Sequence, residues 1–215
     1  MVDYNSWSAH KQSLAHLKQY VASLEGFDPA TLTREDEMAY WINLYNATTL
    51  RLILDAYPVD SIKDIGGLLR SPWKKDLVTV DGRSLSLNEI ENDILRPRFQ
   101  DPRIHFALNC AAVSCPPLAP FAFTGDKLDQ QLEQVTQAAV VHPAFVSLDS
   151  SGDRVRVQLS KIFDWYAGDW EEGGGVRGFL ARYRPSDRAL LLDADSRLEY
   201  NDYDWKLNAL VPPPR

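Results

Sequence analysis

The sequence predicts a single α+β domain in which helices pack on a mostly antiparallel or mixed sheet. Three observations lead to this prediction. The stretch 38–50 carries no charged residue and has helical spacing, which is typical of a helix buried on most sides. Residues 103–109 alternate between apolar and other side chains, as a buried strand does. Asp81-Gly82 lies between two short strand-like segments and is typical of a hairpin turn.

The overall composition fits a soluble globular domain and argues against two other classes of protein. At 215 residues, with 45% hydrophobic and 25% charged side chains, the chain is long enough to bury a core. A net charge of −7 without clustered Lys and Arg argues against a nucleic-acid partner, because phosphate binding needs such clusters. No stretch approaches the roughly 20 apolar residues of a membrane helix. We assign residues 1–210 to the domain and the Pro-rich residues 211–215 to a loose tail.

Two long helices are predicted before residue 57. Residues 6–25 place several apolar side chains and His10 on one stripe, so we expect one helix with His10 packed against its neighbours. The second helix begins at Thr33, a good N-cap, and runs to about Ala56. Glu37 lies in its acidic first turn, where negative charge suits the helix dipole.

The remaining elements are shorter. Ser86 and Glu89 form a capping box that opens a helix ending near Pro97. We expect residues 103–109 to form the central strand, against which the helix of residues 33–56 packs. Beyond that strand the pattern predicts a helix over 127–140, a hairpin of 144–148 with 154–159, a helix capped by Ser160, a short helix over 176–183 and a strand over 197–205.

The residues suited to chemistry are concentrated in the segment 101–117. Both cysteines, Cys110 and Cys115, follow closely after His105, and a strand would place His105 and Asn109 on one face. Pro116 and the next proline end the segment. A nucleophile beside a base is often built in this way, and so is an ordinary core strand that ends in a loop. We predict that His105 and one cysteine, Cys110 ahead of Cys115, share a partly accessible pocket.

The two thiols leave several chemistries open. Their C-x4-C spacing differs from the C-x-x-C of a thioredoxin-type site, and a disulfide would require the chain between them to turn back. A thiol nucleophile would take His105 as base and an amide such as Asn109, or a carboxylate, as the group that orients the base. A metal site made of His105, Cys110 and Cys115 lacks a fourth ligand at a recognisable spacing, so we predict no metal and no cofactor.

Four residues of the long second helix are candidates for ligand binding. Asn43 and Asn46 lie on one face of this apolar helix, where amides must be hydrogen-bonded. They either line a pocket or tie down neighbouring loops, and we expect at least one to border the cavity of His105. Glu37 and Trp41 lie on another side of the first turns. For Glu37 the alternative is a charge that only matches the helix dipole.

Five segments of the chain resemble, in the same order, the domain of unknown function 547 family: 39–47, 85–91, 101–117, 159–166 and 203–208. The resemblance covers nearly the whole chain. It supports His105, Asn109 and Cys110 as one motif but assigns none of them a role. Many bacterial relatives carry a signal peptide, which this sequence lacks as written. The resemblance therefore implies a periplasmic or secreted location, with a cytoplasmic one as the alternative. Some eukaryotic relatives are fused to glutaredoxin-like or signalling modules, which hints at thiol chemistry or binding.

The order of elements is also loosely similar to the papain and transglutaminase superfamily, where a buried helix precedes a strand that carries a histidine. In that superfamily the cysteine opens the helix, whereas here Glu37 stands there. Two functions remain. The first is a thiol-dependent hydrolase or transferase with a Cys/His site at the end of the central strand. The second is a non-catalytic module that binds a small molecule, a peptide or a partner protein and in which the same residues are structural.

Overall fold

Helices form most of the computed structural model, which describes residues 1–66 and 71–210. The longer helices are α1 (Tyr4–Ala9), α2 (Lys11–Glu25), α3 (Arg34–Ala56), α7 (Leu128–Val141) and α9 (Gly175–Tyr183). The shorter ones are α4 (Leu87–Glu89), α5 (Arg96–Phe99), α6 (Ile104–Ala107), α8 (Ile162–Trp165) and α10 (Arg188–Leu192). The strands are β1 (Val78–Val80), β2 (Arg83–Leu85), β3 (Val146–Asp149), β4 (Arg156–Leu159) and β5 (Arg197–Tyr200).

Helix α3 forms the centre of the larger hydrophobic core, as its uncharged sequence predicts. The Thr33 hydroxyl caps it by accepting a hydrogen bond from the backbone N–H of Asp36, which confirms the predicted start. Apolar side chains around the whole circumference of α3 are buried, with Ile42 and Ile53 fully enclosed. The helix therefore needs partners on all sides, and these include α2, α4 and α7.

The single helix predicted for residues 6–25 is wrong, because the chain breaks at His10. The His10 ring accepts a hydrogen bond from the backbone N–H of Ser13 through Nδ1, at 3.2 Å, and so acts as the N-cap of α2. A cap must lie outside the helix with its side chain folded back on the first turn. His10 is accordingly exposed instead of packed on the buried stripe.

The strands form two small sheets, which confirms the α+β class. Strands β1 and β2 make an antiparallel hairpin whose turn residues, Asp81 and Gly82, both have positive φ, as a type I′ turn requires. Strands β3 and β4 pair antiparallel, and β5 adds in parallel to β4, so the second sheet is mixed.

The predicted central strand over residues 103–109 is wrong: these residues form helix α6 and then an extended turn. The Asp101 carboxylate accepts a hydrogen bond from the backbone N–H of Arg103, and the Asp101 carbonyl accepts one from Ile104, so the chain turns into a helix here. All four residues of α6 are buried. In a sequence, a short helix is distinguished from a strand by the spacing of its polar residues. A helix that is buried on every side lacks this polar face, so its pattern cannot show the difference.

A helical run extends from α4 to α5 through a π-helical turn at Ile90–Leu95. The capping box of Ser86 and Glu89 opens this run as predicted. Pro97 does not end it, because the π-helical turn shifts the hydrogen-bond register and leaves Pro97 near the start of α5, where proline is tolerated. The run ends after Phe99.

Two hydrophobic cores meet at α6. Ile104 packs in the larger core with α3, whereas Phe106 packs in a second core with Trp170 and Phe163. His105 lies between these two side chains in the sequence, and it is therefore held at the junction of the cores. The predicted tail of residues 211–215 lies outside the described residues. Within residues 1–66 and 71–210, no helix combines the length and the apolar character that a membrane span requires.

Candidate functional site

A cavity of about 260 Å³ opens at the junction of the two cores. Its lining includes three of the predicted site residues, His105, Cys110 and Cys115. The wall is rich in aromatic side chains: Tyr45, Trp73, Trp165, Tyr166, Tyr203 and Trp205. Three polar side chains, Asn88, Glu91 and Asn92, lie on the same wall and come from α4 and the π-helical turn. No cluster of three His, Cys, Asp or Glu suited to a metal ion occurs in the described parts of the chain.

The cysteines lie on a tight loop, residues 108–115, which we call the cysteine loop. Its shape is set by Asn109. The Asn109 side chain donates to the carbonyl of Pro116 at 2.7 Å and accepts from the backbone N–H of Ala111 at 3.0 Å. Ala111 has a φ of 61° although it carries a side chain, so the backbone here is strained. Such strain persists only where the surroundings impose it, and Asn109 is part of that constraint.

A second segment, residues 203–209, holds this loop from outside. The backbone N–H of Val113 donates to the carbonyl of Lys206 at 2.8 Å, and that of Asn208 donates to the carbonyl of Ala111 at 2.9 Å. The same segment brings the Tyr203 hydroxyl to 3.3 Å from the sulfur of Cys110. The segment 203–209 therefore both holds the cysteine loop in place and positions the Tyr203 hydroxyl beside the Cys110 sulfur.

The two thiols are free and differ in environment. Cys110 is half-buried, and hydrogen bonds from Cys115, from the Tyr203 hydroxyl and from the backbone N–H of Ala112 lower the pKa of its thiol despite its burial. Cys115 is buried, and this burial raises the pKa of its thiol well above the ordinary value. The backbone N–H of Cys110 donates to the sulfur of Cys115 at 2.8 Å. Cys110 is therefore the thiol that this site favours as a thiolate.

His105 is oriented by a carboxylate that the sequence did not indicate. Its Nε2 lies 2.7 Å from a carboxylate oxygen of Asp169, and Asp169 is in turn held by the Nε and Nη2 of Arg96, each at 2.7 Å. The ring also stacks on Tyr166, with centroids 3.8 Å apart. Within the described residues, no hydrogen bond joins His105 to either cysteine. The predicted Cys/His pair thus shares a cavity without direct contact.

The electrostatics of Asp169 follow from these contacts. Partial burial would raise the pKa of its carboxyl group, but the hydrogen bonds from His105 and Arg96 outweigh burial and hold the pKa well below its ordinary value of 3.8. Burial, followed by the neighbouring carboxylate of Glu91, raises the pKa of Tyr166 far above its usual range. Its hydroxyl therefore stays protonated and donates to Glu91.

The two asparagines of α3 are hydrogen-bonded to backbone groups of neighbouring loops. The Asn46 amide donates to the carbonyl of Ala107 at 2.9 Å and accepts from the N–H of Asn109 at 2.8 Å. Asn43 makes the corresponding pair of bonds with the backbone of Phe123. In the part of the chain that is described, neither asparagine lines the cavity of His105, contrary to expectation. Asn46 acts on the site indirectly, by fixing the chain between α6 and the cysteine loop.

Glu37 and Trp41 also lie away from this cavity. Glu37 is buried, forms an ion pair with Arg98 at 2.6 Å and accepts a hydrogen bond from the Trp41 indole at 3.3 Å. It is therefore more than a charge that matches the helix dipole. Both residues line a separate surface pocket beside α5.

The residues that the sequence reasoning missed lie far from the cysteines in the chain. Asp169 and Arg96 belong to helical turns without a distinctive pattern. A weak signal was present for Glu91, Tyr166 and Tyr203, because all three lie in segments that resemble the family. None of these segments indicated which side chain would face the cavity.

Comparison with known proteins places the chain in a family. The family model described as "Protein of unknown function, DUF547" matches residues 29–138, slightly more than half of the chain. The match includes α3, the π-helical turn, α6 and the cysteine loop, and it ends before Tyr166 and Tyr203. Neither the curated proteins nor the solved structures gave a match. The chain therefore belongs to the DUF547 family.

Proposed function

We propose that this protein is a thiol-dependent hydrolase or transferase in which Cys110 is the nucleophile. The observation that supports this proposal most directly is the placement of the Cys110 sulfur in the cavity wall, 3.3 Å from the Tyr203 hydroxyl. A donated hydrogen bond stabilises a thiolate, the form of cysteine that attacks an electrophile. Cys115 stays a buried, protonated thiol whose sulfur accepts a hydrogen bond from the Cys110 backbone N–H.

In the proposed reaction, the thiolate sulfur attacks the carbonyl carbon of an ester, thioester or amide. The carbon–sulfur bond forms, the bond to the leaving group breaks, and the leaving group departs with a proton. Water or a second nucleophile then releases the acyl group from Cys110. His105 is the candidate proton donor and acceptor, because Asp169 holds its Nε2 and leaves Nδ1 without a hydrogen bond among the described residues.

The alternative is a module that binds a ligand without reacting with it. The aromatic wall favours this reading, since stacked rings such as Trp165, Tyr203 and Trp205 provide a binding surface whether or not the thiol reacts. The two readings differ in one property: a nucleophile must react in the folded protein, and a structural thiol must not.

Alkylation by iodoacetamide, measured against pH and located by mass spectrometry, tests the proposal. We expect Cys110 to react in the folded protein well below its unperturbed pKa of about 8.5. Cys115→Ser should retain a reactive Cys110, and Cys110→Ser should show no alkylation while it is folded. Tyr203→Phe should move the midpoint of the rate profile to higher pH, because it removes a donor to the sulfur. His105→Ala should leave alkylation in place and abolish turnover of activated esters.

The matched control is His142→Ala, which changes an exposed histidine outside the cavity. It should match the wild type in both assays. If Cys110 in the folded wild-type protein reacts no faster than a simple thiol of ordinary pKa, the nucleophile proposal is wrong, and the binding module becomes the better description.

We also propose a location outside the cytoplasm. Its only support is the family resemblance of the sequence. Fractionation of cells that express the native gene would test it: the protein should be released with the periplasm or found in the medium, and recovery with the cytoplasm would contradict the proposal.

A further inference from the structure

We infer that the cavity binds a ligand carrying an ammonium group, which Glu91 pairs with while the aromatic wall packs against the ligand's carbon chain. This inference rests on the proposed function only in taking this cavity as the substrate site. It adds the chemical class of the substrate, an organic cation such as a primary amine, and it holds whether or not Cys110 is a nucleophile.

The first argument concerns the carboxylate of Glu91. Glu91 is 9% exposed and lines the cavity. Its Oε1 accepts a hydrogen bond from Tyr166, while its Oε2 has no hydrogen-bond partner among residues 1–66 and 71–210. Burying a carboxylate is costly unless it is paired, so a free oxygen on a carboxylate that lines a cavity favours a donor or a cation supplied by a ligand.

The second argument is that the nearby cation is engaged elsewhere. The guanidinium of Arg96 donates to Asp169 through Nε and Nη2 and to Asn92 through Nη1. In the described structure it makes no ion pair with Glu91. The negative charge of Glu91 is thus left without a salt-bridge partner, in a protein whose net charge is already −7.

The third argument concerns how the carboxylate is aimed. Glu91 belongs to the π-helical turn, and Asn88 and Asn92 line the cavity beside it. A π-helical turn widens the helix and changes which side chains share a face, and such turns occur frequently at functional sites. Here α4 and the turn together place one carboxylate and two amides on the same wall.

The fourth argument is that the aromatic wall already holds an ammonium at its edge. The Nζ of Lys63 lies 3.8 Å from the centroid of the Trp205 ring, a cation–π contact. Trp205 packs on Tyr203 with centroids 4.5 Å apart, and Trp165 packs on Tyr203 at 4.7 Å. The faces of these electron-rich rings favour a cation over an anion, in agreement with Glu91.

The experiment measures binding to the full chain carrying Cys110→Ser, so that reaction with the thiol cannot contribute. The probes are n-butylammonium, n-butanol and butyrate, which share a short apolar chain and differ in charge. By calorimetry, we expect butylammonium to bind at least about tenfold more tightly than butanol, and butyrate to bind most weakly.

In the same background, Glu91→Gln should weaken butylammonium binding about tenfold or more and leave butanol unchanged. The matched control Glu171→Gln changes an exposed carboxylate outside the cavity lining and should have no effect. If Glu91→Gln does not fold, the ratio of butylammonium to butanol affinity decides alone. Equal affinity for the two probes, absent butylammonium binding, or unchanged binding in Glu91→Gln would overturn the inference. Failure of the alkylation test would not affect this result.

Discussion

At the residue scale, Cys110 and Cys115 show how one loop gives two identical side chains different properties. Both cysteines line the cavity, but Cys110 is half-buried and receives hydrogen bonds, whereas Cys115 is buried and loses the solvation that its thiolate would need. Their separation by four residues conveys none of this. The difference in burial accounts for part of this, and the segment 203–209 adds to it by supplying the Tyr203 hydroxyl from a distant part of the chain.

Asp169 gives rise to a prediction about pH and stability. Folding lowers the pKa of its carboxyl group, so the ionised form contributes stability that is present above the ordinary pKa of 3.8 and is lost as the pH falls below 3.8 towards the lowered pKa of the folded protein. Asp169→Asn should therefore lower the free energy of unfolding by about 1–3 kcal/mol at pH 7. We expect the difference in unfolding free energy between Asp169→Asn and the wild type to be constant above about pH 5 and to narrow progressively below about pH 4, measured by urea unfolding.

The control for this prediction is Asp153→Asn, since Asp153 is exposed and makes no ion pair with the residues that the structure describes. Its stability should follow that of the wild type at every pH. A difference between Asp169→Asn and the wild type that stays constant as the pH falls below 3.8 would show that the charge of Asp169 does not contribute to stability as argued.

At the element scale, the sequence predicted α3 well and α6 wrongly, for one physical reason. A long helix can be identified even when buried, because its length, its N-cap at Thr33 and its acidic first turn are visible in the sequence. Helix α6 has four residues, all buried, and its alternating pattern fits a strand equally well. The capping box at Ser86 and the turn at Asp81-Gly82 were predicted correctly, because each depends on neighbouring residues alone.

The candidate site was predictable only in part. His105, Cys110 and Cys115 stood out because their side chains are reactive and close in sequence. Asp169 and Glu91 could not be found this way, since the contacts that make them notable join segments 64 and 75 residues apart. No local pattern encodes such contacts.

The amide of Asn46 provides a test at the scale of one helix. Its two hydrogen bonds hold the backbone of Ala107 and Asn109, so Asn46→Leu leaves a buried carbonyl and a buried N–H unpaired. We expect the free energy of unfolding to fall by about 1–3 kcal/mol for each group that is left fully unpaired. The alkylation rate of Cys110 should change as well, because the cysteine loop loses an anchor.

Thr48→Val is the matched control on the same helix. The Thr48 hydroxyl is buried and has no hydrogen-bond partner among the described residues, so its replacement by a methyl group should be neutral or stabilising. If Asn46→Leu and Thr48→Val unfold at the same urea concentration, the anchoring role of Asn46 is wrong.

At the scale of the whole molecule, the site joins distant parts of the chain. Residue Val2 pairs with Ala209 in an isolated bridge, and the buried Tyr4 hydroxyl donates to the side chain of Asn208 at 2.8 Å. Asn208 in turn contacts the cysteine loop through the carbonyl of Ala111. The geometry around Cys110 therefore depends on residues near both ends of the sequence.

Tyr4→Phe should reveal this dependence. The change leaves the buried Asn208 oxygen without its donor, at a cost of about 1–3 kcal/mol. Amide hydrogen exchange should accelerate in residues 111–114, although they are distant in sequence. Tyr20→Phe is the control, since Tyr20 is partly exposed and its hydroxyl makes no hydrogen bond within the described ranges. Equal exchange in the two variants would contradict a link between Tyr4 and the loop.

The contact between the segment 203–209 and the cysteine loop has a consequence for the order of events during synthesis. Tyr203 is translated 93 residues after Cys110, so a ribosome has already extruded the thiol long before its hydrogen-bond donor exists. Until Tyr203 emerges, Cys110 lacks the hydroxyl that helps to lower the pKa of its thiol. The nascent chain thus carries a cysteine of ordinary pKa, and that pKa falls only when the distal segment docks on the folded protein.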